Sequence, residues 1–238
     1  MDGTDLLARV TVVVPVGPGD AIAPTLREQL LELPLQVHEV RASNPATGAS
    51  GVHAGPRPHW RISHAPRGRA RQQNAGARDA AGDWLWFLHA DCGFAPTTVL
   101  ALSKFVERGG NPAVPVAGFF DLHFLDDGPA MTRLNAAGAW LRSHWLGLPF
   151  GDQGLLLPRR LFERMGGFDN GLERGEDHDL VWRLRRAGGA LQPVGAPLLT
   201  SARKYAERGW WTTTSGHLGE TVRQAWHFSR AARRGGAR

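Results

Sequence analysis

Two clusters far apart in the chain hold residue types from which chemistry can be built. The first lies in 84–92, WLWFLHADC, where five apolar residues run into His89, Ala90 and Asp91. On an extended chain an imidazole and a carboxylate two residues apart share a face, so both can address one ion or ligand. The second is Glu176, Asp177 and Asp179, three carboxylates within four residues. Carboxylates this close repel one another and push at least one pKa upward, as a general base working near neutrality requires. Each cluster also has a purely structural reading: acids suit the positive end of a helix dipole, and Asp91 suits the backbone amides of the turn after a strand. Arg67, Arg69 and Arg71 open a segment rich in Ala, Arg and Gln. Guanidiniums gathered at a helix amino end, where amides are free, make a phosphate site. Asp152 and Gln153, in GLPFGDQG, either touch a ligand or cap their turn.

The elements that must position these groups follow from hydrophobic periodicity. Residues 10–16, VTVVVPV, form a β-branched run closed by proline and predict a central strand. Residues 24–33 set leucines at helical spacing behind Pro24, and 35–40 alternate as a second strand. Strand, helix, strand is a right-handed crossover and predicts a parallel sheet. Residues 84–88 read as a strand buried on both faces, and ligands of open α/β sheets gather at carboxyl ends of strands, where His89 and Asp91 fall. Residues 41–60 lack periodicity and read as a mobile ligand loop, with a short strand at 61–63 and a helix opening at Gly68. Helices are expected over 96–108, 131–146 and 158–165, and another beginning at the Glu176 cluster with Leu180, Val181 and Leu184 inward. A strand is expected over 114–124, and a glycine-rich turn leads into a further strand within 147–157. The stripe Leu134, Trp140, Leu141 and Trp145 reads as core or interface.

Length and composition fit one α/β domain spanning 1–238, with 206–238 a helical extension rich in Trp and Arg. The net charge of +6 is carried by arginine, since lysine occurs only at Lys104 and Lys204, and arginine suits bidentate phosphate contacts. The single cysteine excludes an intrachain disulfide and fits a reducing compartment, so the expected location is cytoplasmic, at the inner face of a membrane if the extension docks there. Neither a signal peptide nor a membrane span is read in the sequence. Trp210, Trp211 and Trp226 beside arginines suit a membrane-surface helix or a partner contact, and equally a helix packed on the sheet. The arginines cluster by motif and not along one stripe, so nucleic acid is not an expected partner. GPGD after the first strand lacks the glycine spacing of a dinucleotide site.

Taken in order, PRGRARQQNAGARDAAGDWLWFLHAD, GLPFGDQG and GGFDNGLERGEDHDLVWRLRR resemble the family 2 glycosyltransferases, nucleotide-sugar-dependent enzymes of the GT-A fold. The resemblance is nearest to the bacterial subgroup described as rSAM/selenodomain-associated transferases. It implies a Rossmann-like domain with a mixed, mainly parallel sheet flanked by helices. Its metal-binding acidic motif falls on His89 and Asp91, and its helix-opening Glu-Asp pair on Glu176 and Asp177. The activity implied is inverting transfer of a sugar from a nucleoside diphosphate sugar to an acceptor hydroxyl. Asp177 would be the base, with Glu176 orienting the acceptor. The expected substrate contacts are Pro15, Val16, Arg67, Arg69, Arg71, Asn74, Asp152 and Gln153. Two departures stand out. The acidic motif begins with His89 where the family usually has aspartate, and a ligating imidazole favours Mn2+ over Mg2+. Residues 40–45, VRASNP, have no carboxylate where the family reads the nucleotide base. The rival readings are a GT-A-like nucleotide-binding protein without transferase activity, and a basic nucleic-acid-binding protein.

Overall fold

The structure, a computed structural model, describes residues 3–43, 52–109, 116–216 and 219. The chain opens with a short helix α1 (Gly3–Ala8), then β1 (Val10–Val16), α2 (Pro24–Glu32) and β2 (Gln36–Ala42). A hairpin of β3 (Val52–Ala54) and β4 (Trp60–Ala65) leads to α3 (Arg69–Arg78), β5 (Trp84–Phe87), β6 (Cys92–Phe94) and α4 (Pro96–Arg108). After β7 (Val116–Phe124) and α5 (Thr132–Trp145), a 3₁₀ turn (Gly151–Gln153) precedes β8 (Leu156–Pro158), α6 (Arg159–Arg164), α7 (Glu176–Arg186), β9 (Ala190–Thr200) and α8 (Arg203–Arg208).

The nine strands of the described residues form one sheet in the order β3-β4-β2-β1-β5-β8-β7-β9-β6. β4, β2, β1 and β5 are parallel neighbours, as the crossover pattern requires, and β7 and β9 run the same way. β3, β8 and β6 run against them. Helices cover both faces, which is why the central strands read as unbroken apolar runs. Period-two alternation divides them: Trp84, Trp86 and Leu88 join the core beneath α2 and α4, while Leu85 and Phe87 join the core beneath α3, α6 and α7. Trp86 is wholly buried and packs on Phe94 and Phe120 at 5.5 and 5.1 Å between ring centres.

Three expectations need correcting. The segment 41–60 is not all loop: β2 reaches Ala42, and β3 returns to pair antiparallel with β4. Residues 44–51, including Asn44 and Pro45, lie outside the described residues. The stripe on α5 is not core. Leu134, Trp140, Leu141 and Trp145 are 62%, 45%, 51% and 77% exposed, because α5 meets the sheet through Ala139 and Ser143 instead. β9 is an unanticipated strand, hidden from propensity by Pro193, Gly195 and Pro197, and it sits beside a register shift in β7 between Phe119 and Asp121. Trp210 donates its indole N–H to Asn135 of α5 at 2.6 Å while Trp211 is 75% exposed, and Trp226 lies outside the described residues.

Candidate functional site

β5 ends at Phe87, and Leu88 still donates its N–H to Val13 of β1. The chain then turns, closed by the Cys92 N–H on the His89 carbonyl at 3.2 Å. His89 and Asp91 are therefore on a turn, and the extended geometry expected for them does not apply. They point to different neighbours. His89 faces Arg69, Gly151 and Asp177, whereas Asp91 has Lys204 Nζ of α8 at 3.6 Å from its Oδ2.

Arg69, the first residue of α3, links the two acidic clusters. Its Nη1 lies 3.3 Å from His89 Nε2 and its Nε lies 3.3 Å from Glu176 Oε1. A guanidinium only donates, so Nε2 of His89 holds the lone pair and the ring proton sits on Nδ1. Burial, reinforced by Arg69, drives the His89 pKa down to about 4 against the pull of Asp91 and Asp177, so the imidazole is neutral at neutral pH. Both carboxylates act on one ring, although they stand 86 positions apart (177 − 91).

Glu176 and Asp177 open α7 directly after Gly175, whose φ of 80° is a left-handed conformation that glycine adopts without strain. Their pKa values move apart. Burial pushes Glu176 upward, with Asp177 adding and Arg69 opposing. Burial also pushes Asp177 upward, but His178, Arg69 and the N–H groups of Gly151 and His178 outweigh it, and its carboxyl is held below the usual range. The crowding argument thus applies to Glu176 and not to Asp177. Asp179 turns away to pair with Arg183 at 2.7 Å.

The turn Gly151–Gln153 presses against Asp177. The Gly151 N–H donates to Asp177 Oδ2, and the His178 N–H donates to Oδ1 at 2.9 Å. A side chain at 151 would strike both walls of the site: an added Cβ falls 2.8 Å from Asp177 Oδ2 and 3.3 Å from His89 Nε2. Beneath the turn, Gln153 is fully buried and its amide is used up. Its Oε1 accepts from Arg142 and from the Phe150 N–H, and its Nε2 donates to the Phe120 carbonyl and to Ser143. Gln153 supports the site from below. Asp152 is half-buried and its charge is felt by Arg142 and by Tyr205, whose hydroxyl is pushed up to about 12 by burial and then by Asp152.

The remaining expected contacts separate. Arg67, Arg69 and Arg71 are all exposed, and of the three Arg69 is the one with contacts to His89 and Glu176. Asn74 holds the segment before α7, donating to Phe168 O and Asn170 Oδ1 at 2.8 and 2.9 Å and accepting from Phe168 N. Pro15 and Val16 close β1, where the Val16 carbonyl accepts from Gln72. Sequence reasoning passed over several residues here. Gln72 also donates to Val40 O and so ties the ends of β1 and β2. Glu39, the acid nearest to 40–45, is buried between Arg41, Arg27 and the Trp60 indole, away from the end of its strand. Gly151, Arg142 and Lys204 carried no signal beyond their place in, or distance from, a quoted motif.

Among the described residues no group of three or more His, Cys, Asp or Glu is placed to hold a metal ion. Asp91 suits a hard divalent cation, its side chain 35% exposed. The lone pair of His89 Nε2 is directed at Arg69. A metal at this turn would be held by Asp91 and would suit a diphosphate's oxygens.

Comparison with known proteins agrees with the architecture. The family described as Glycosyl transferase family 2 matches residues 50–168, which is 119 of the 238 residues. No curated protein matches. A mannosyltransferase from Pyrobaculum calidifontis, PcManGT, solved in complex with GDP-Man and Mn2+, superposes with a TM-score of 0.53 at 20% identity, over 79% of this chain and 56% of that one. Staphylococcus aureus TarS 1-349 superposes with a TM-score of 0.54 at 12% identity, over 81% of this chain and 60% of that one. The chain thus spans 56–60% of these proteins' length, and at such identity the likeness is one of fold, the GT-A arrangement.

Proposed function

The chain belongs to glycosyl transferase family 2, and we propose that it moves a sugar from a nucleoside diphosphate sugar to an acceptor hydroxyl with inversion at the anomeric carbon. The observation that supports this reading is the cluster of His89 and Asp177 on either side of Gly151, with Arg69 joining His89 to Glu176. The bond from the anomeric carbon to the diphosphate oxygen breaks, and its electron pair leaves with the diphosphate. A bond from that carbon to the acceptor oxygen forms on the opposite face, and the acceptor proton passes to Asp177. Two N–H groups already hold the Asp177 carboxylate, which keeps it ionised at neutral pH and fixes its direction. A base so placed contributes about 10²- to 10⁴-fold in rate. Glu176, with its raised pKa, orients the acceptor beside Arg69.

Asp91 would hold the divalent ion, and the ion's chemistry is to neutralise charge on the leaving diphosphate. Mn2+ is the first ion to try. Arg69 stands ready to donate to the same phosphates. Pro15 and Val16, at the carboxyl end of β1, would receive the nucleoside. We also assign the chain to the rSAM/selenodomain-associated subgroup on the His-Ala-Asp form of its acidic motif.

The test is a donor panel in thermal shift with and without Mn2+, followed by transfer assays on the wild type and Asp177→Asn. The variant should lose at least 10²-fold in transfer and bind nucleoside diphosphate within about threefold of the wild type. Equal loss of both removes Asp177 as the base. Tight donor binding without turnover in the wild type would favour the nucleotide-binding reading.

A further inference from the structure

A cavity of about 720 Å³ lies between the carboxyl end of β7 and α5, one strand away from the turn that holds Asp177. That volume is typical of a small-molecule site. Its walls include Asp121, Phe124, Leu125, Asp126, Thr132 and Trp140. Trp140, 45% exposed, is held in place. Its ring stacks on His144 with centres 4.5 Å apart and planes 22° apart. His144 is fixed in turn by the Trp140 carbonyl at 3.0 Å, by Asp121 Oδ1 at 3.5 Å, and by the edge of Phe119. Oδ1 of Asp121 is turned inward beside His144 and shielded from water, while the side chain as a whole stays 25% exposed at the cavity wall. A rigid, half-exposed indole beside a partly exposed carboxylate is the chemistry that grips a carbohydrate ring. The indole covers its C–H face, and the carboxylate accepts from its hydroxyls.

The cavity and the proposed base belong to one hydrogen-bonded unit. Gln153 bonds to Phe120 O, next to Asp121, and to Ser143 Oγ, next to His144. The same 3₁₀ turn presents the Gly151 N–H to Asp177. From the other side α8 spans both places, with Lys204 at Asp91 and Tyr205 against Phe124 at 5.4 Å between ring centres. We infer that this cavity is the acceptor subsite and that the acceptor is a pyranoside, stacked on Trp140 and hydrogen-bonded by Asp121. The inference rests on the transferase reading for its role, but binding alone can be measured without it.

Isothermal titration of the full chain with octyl hexopyranosides, in the gluco, manno and galacto forms, tests it. The wild type should bind at least one, Trp140→Ala and Asp121→Asn should each weaken binding about tenfold or more, and Trp145→Ala, on the exposed ridge outside the cavity, should leave it unchanged. Donor hydrolysis should stay within about twofold of the wild type in Trp145→Ala, and in Trp140→Ala and Asp121→Asn transfer to the glycoside should lose in acceptor KM before kcat. No binding by the wild type, or binding that survives Trp140→Ala and Asp121→Asn, overturns the subsite. Absence of all donor turnover, with glycoside binding still lost in those variants, would overturn the transferase reading and leave the sugar site standing.

Discussion

Replacing Gly151 by alanine places one methyl group where the structure leaves none to spare. The new Cβ would lie 2.8 Å from Asp177 Oδ2, 3.5 Å from Asp177 Cβ and 3.3 Å from His89 Nε2. The turn cannot easily retreat, because Gln153 fixes it to Phe120 and Ser143 from below. Asp177 must therefore swing aside and surrender the Gly151 N–H. A hydrogen bond to a charged acceptor contributes about 1.5–3 kcal/mol, and its loss also lets the Asp177 pKa drift back up from its lowered value. Moving a reacting group by about 1 Å costs roughly 10²-fold, and the ceiling is the whole contribution of the base, about 10⁴-fold. Transfer by Gly151→Ala should accordingly fall about 10²- to 10³-fold in kcat, with nucleoside diphosphate binding within about threefold of the wild type. Coupled release of the nucleoside diphosphate measures the first, and thermal shift the second. Transfer within threefold of the wild type would show that the contact between Gly151 and Asp177 has no part in the reaction.

Two further outcomes concern stability. Asn74→Ala leaves the N–H and carbonyl of Phe168 without partners, and should cost about 2–3 kcal/mol, a fall in Tm of roughly 4–12 °C by calorimetry. An unchanged Tm would make that clamp ornamental. His38 is buried with Nδ1 2.7 Å from the Gly76 carbonyl, and burial lowers its pKa. The unfolded chain then takes up the proton first, so stability is complete above pH 6.5, the ordinary value, and declines as pH falls below it. Urea titrations between pH 7 and 5 should show that slope reduced in His38→Gln, and an identical slope would exclude His38 as its source.

Much of the sheet was legible because β1 and β5 are buried on both faces, which forces long apolar runs. β9 was not, since its prolines and glycine hide a strand whose pairing with β7 is decided by tertiary contacts. The stripe on α5 shows the converse: Leu134, Leu141 and Trp145 have the right period for a core face, but period alone does not say which side of a helix meets the sheet. At the site, the residue types at 89, 91, 176 and 177 pointed to chemistry, while their partners did not declare themselves. Arg69 was one of three similar arginines until the fold turned it toward Glu176. Asn74 and Gln153 look like ligand-binding amides in a string of letters. Both turn out to be fasteners, because amides satisfy buried backbone as readily as they bind sugars. The rise in Glu176 and the fall in Asp177 depend on which N–H groups reach which oxygen, and that is settled only in three dimensions.

The bonds from Asn74 to Phe168 and Asn170 close loops of 94 and 96 residues. During synthesis, at roughly 5–20 residues per second, α3 waits on the order of 5–20 s for the other end of its clasp to emerge. Until then Arg69 has no Glu176 to meet and the turn at 151 has no carboxylate to hold. The nascent protein therefore completes its reaction centre in one late event, and a ribosome stalled short of residue 170 releases a product that carries Arg69, His89 and Asp91 without Glu176 and Asp177.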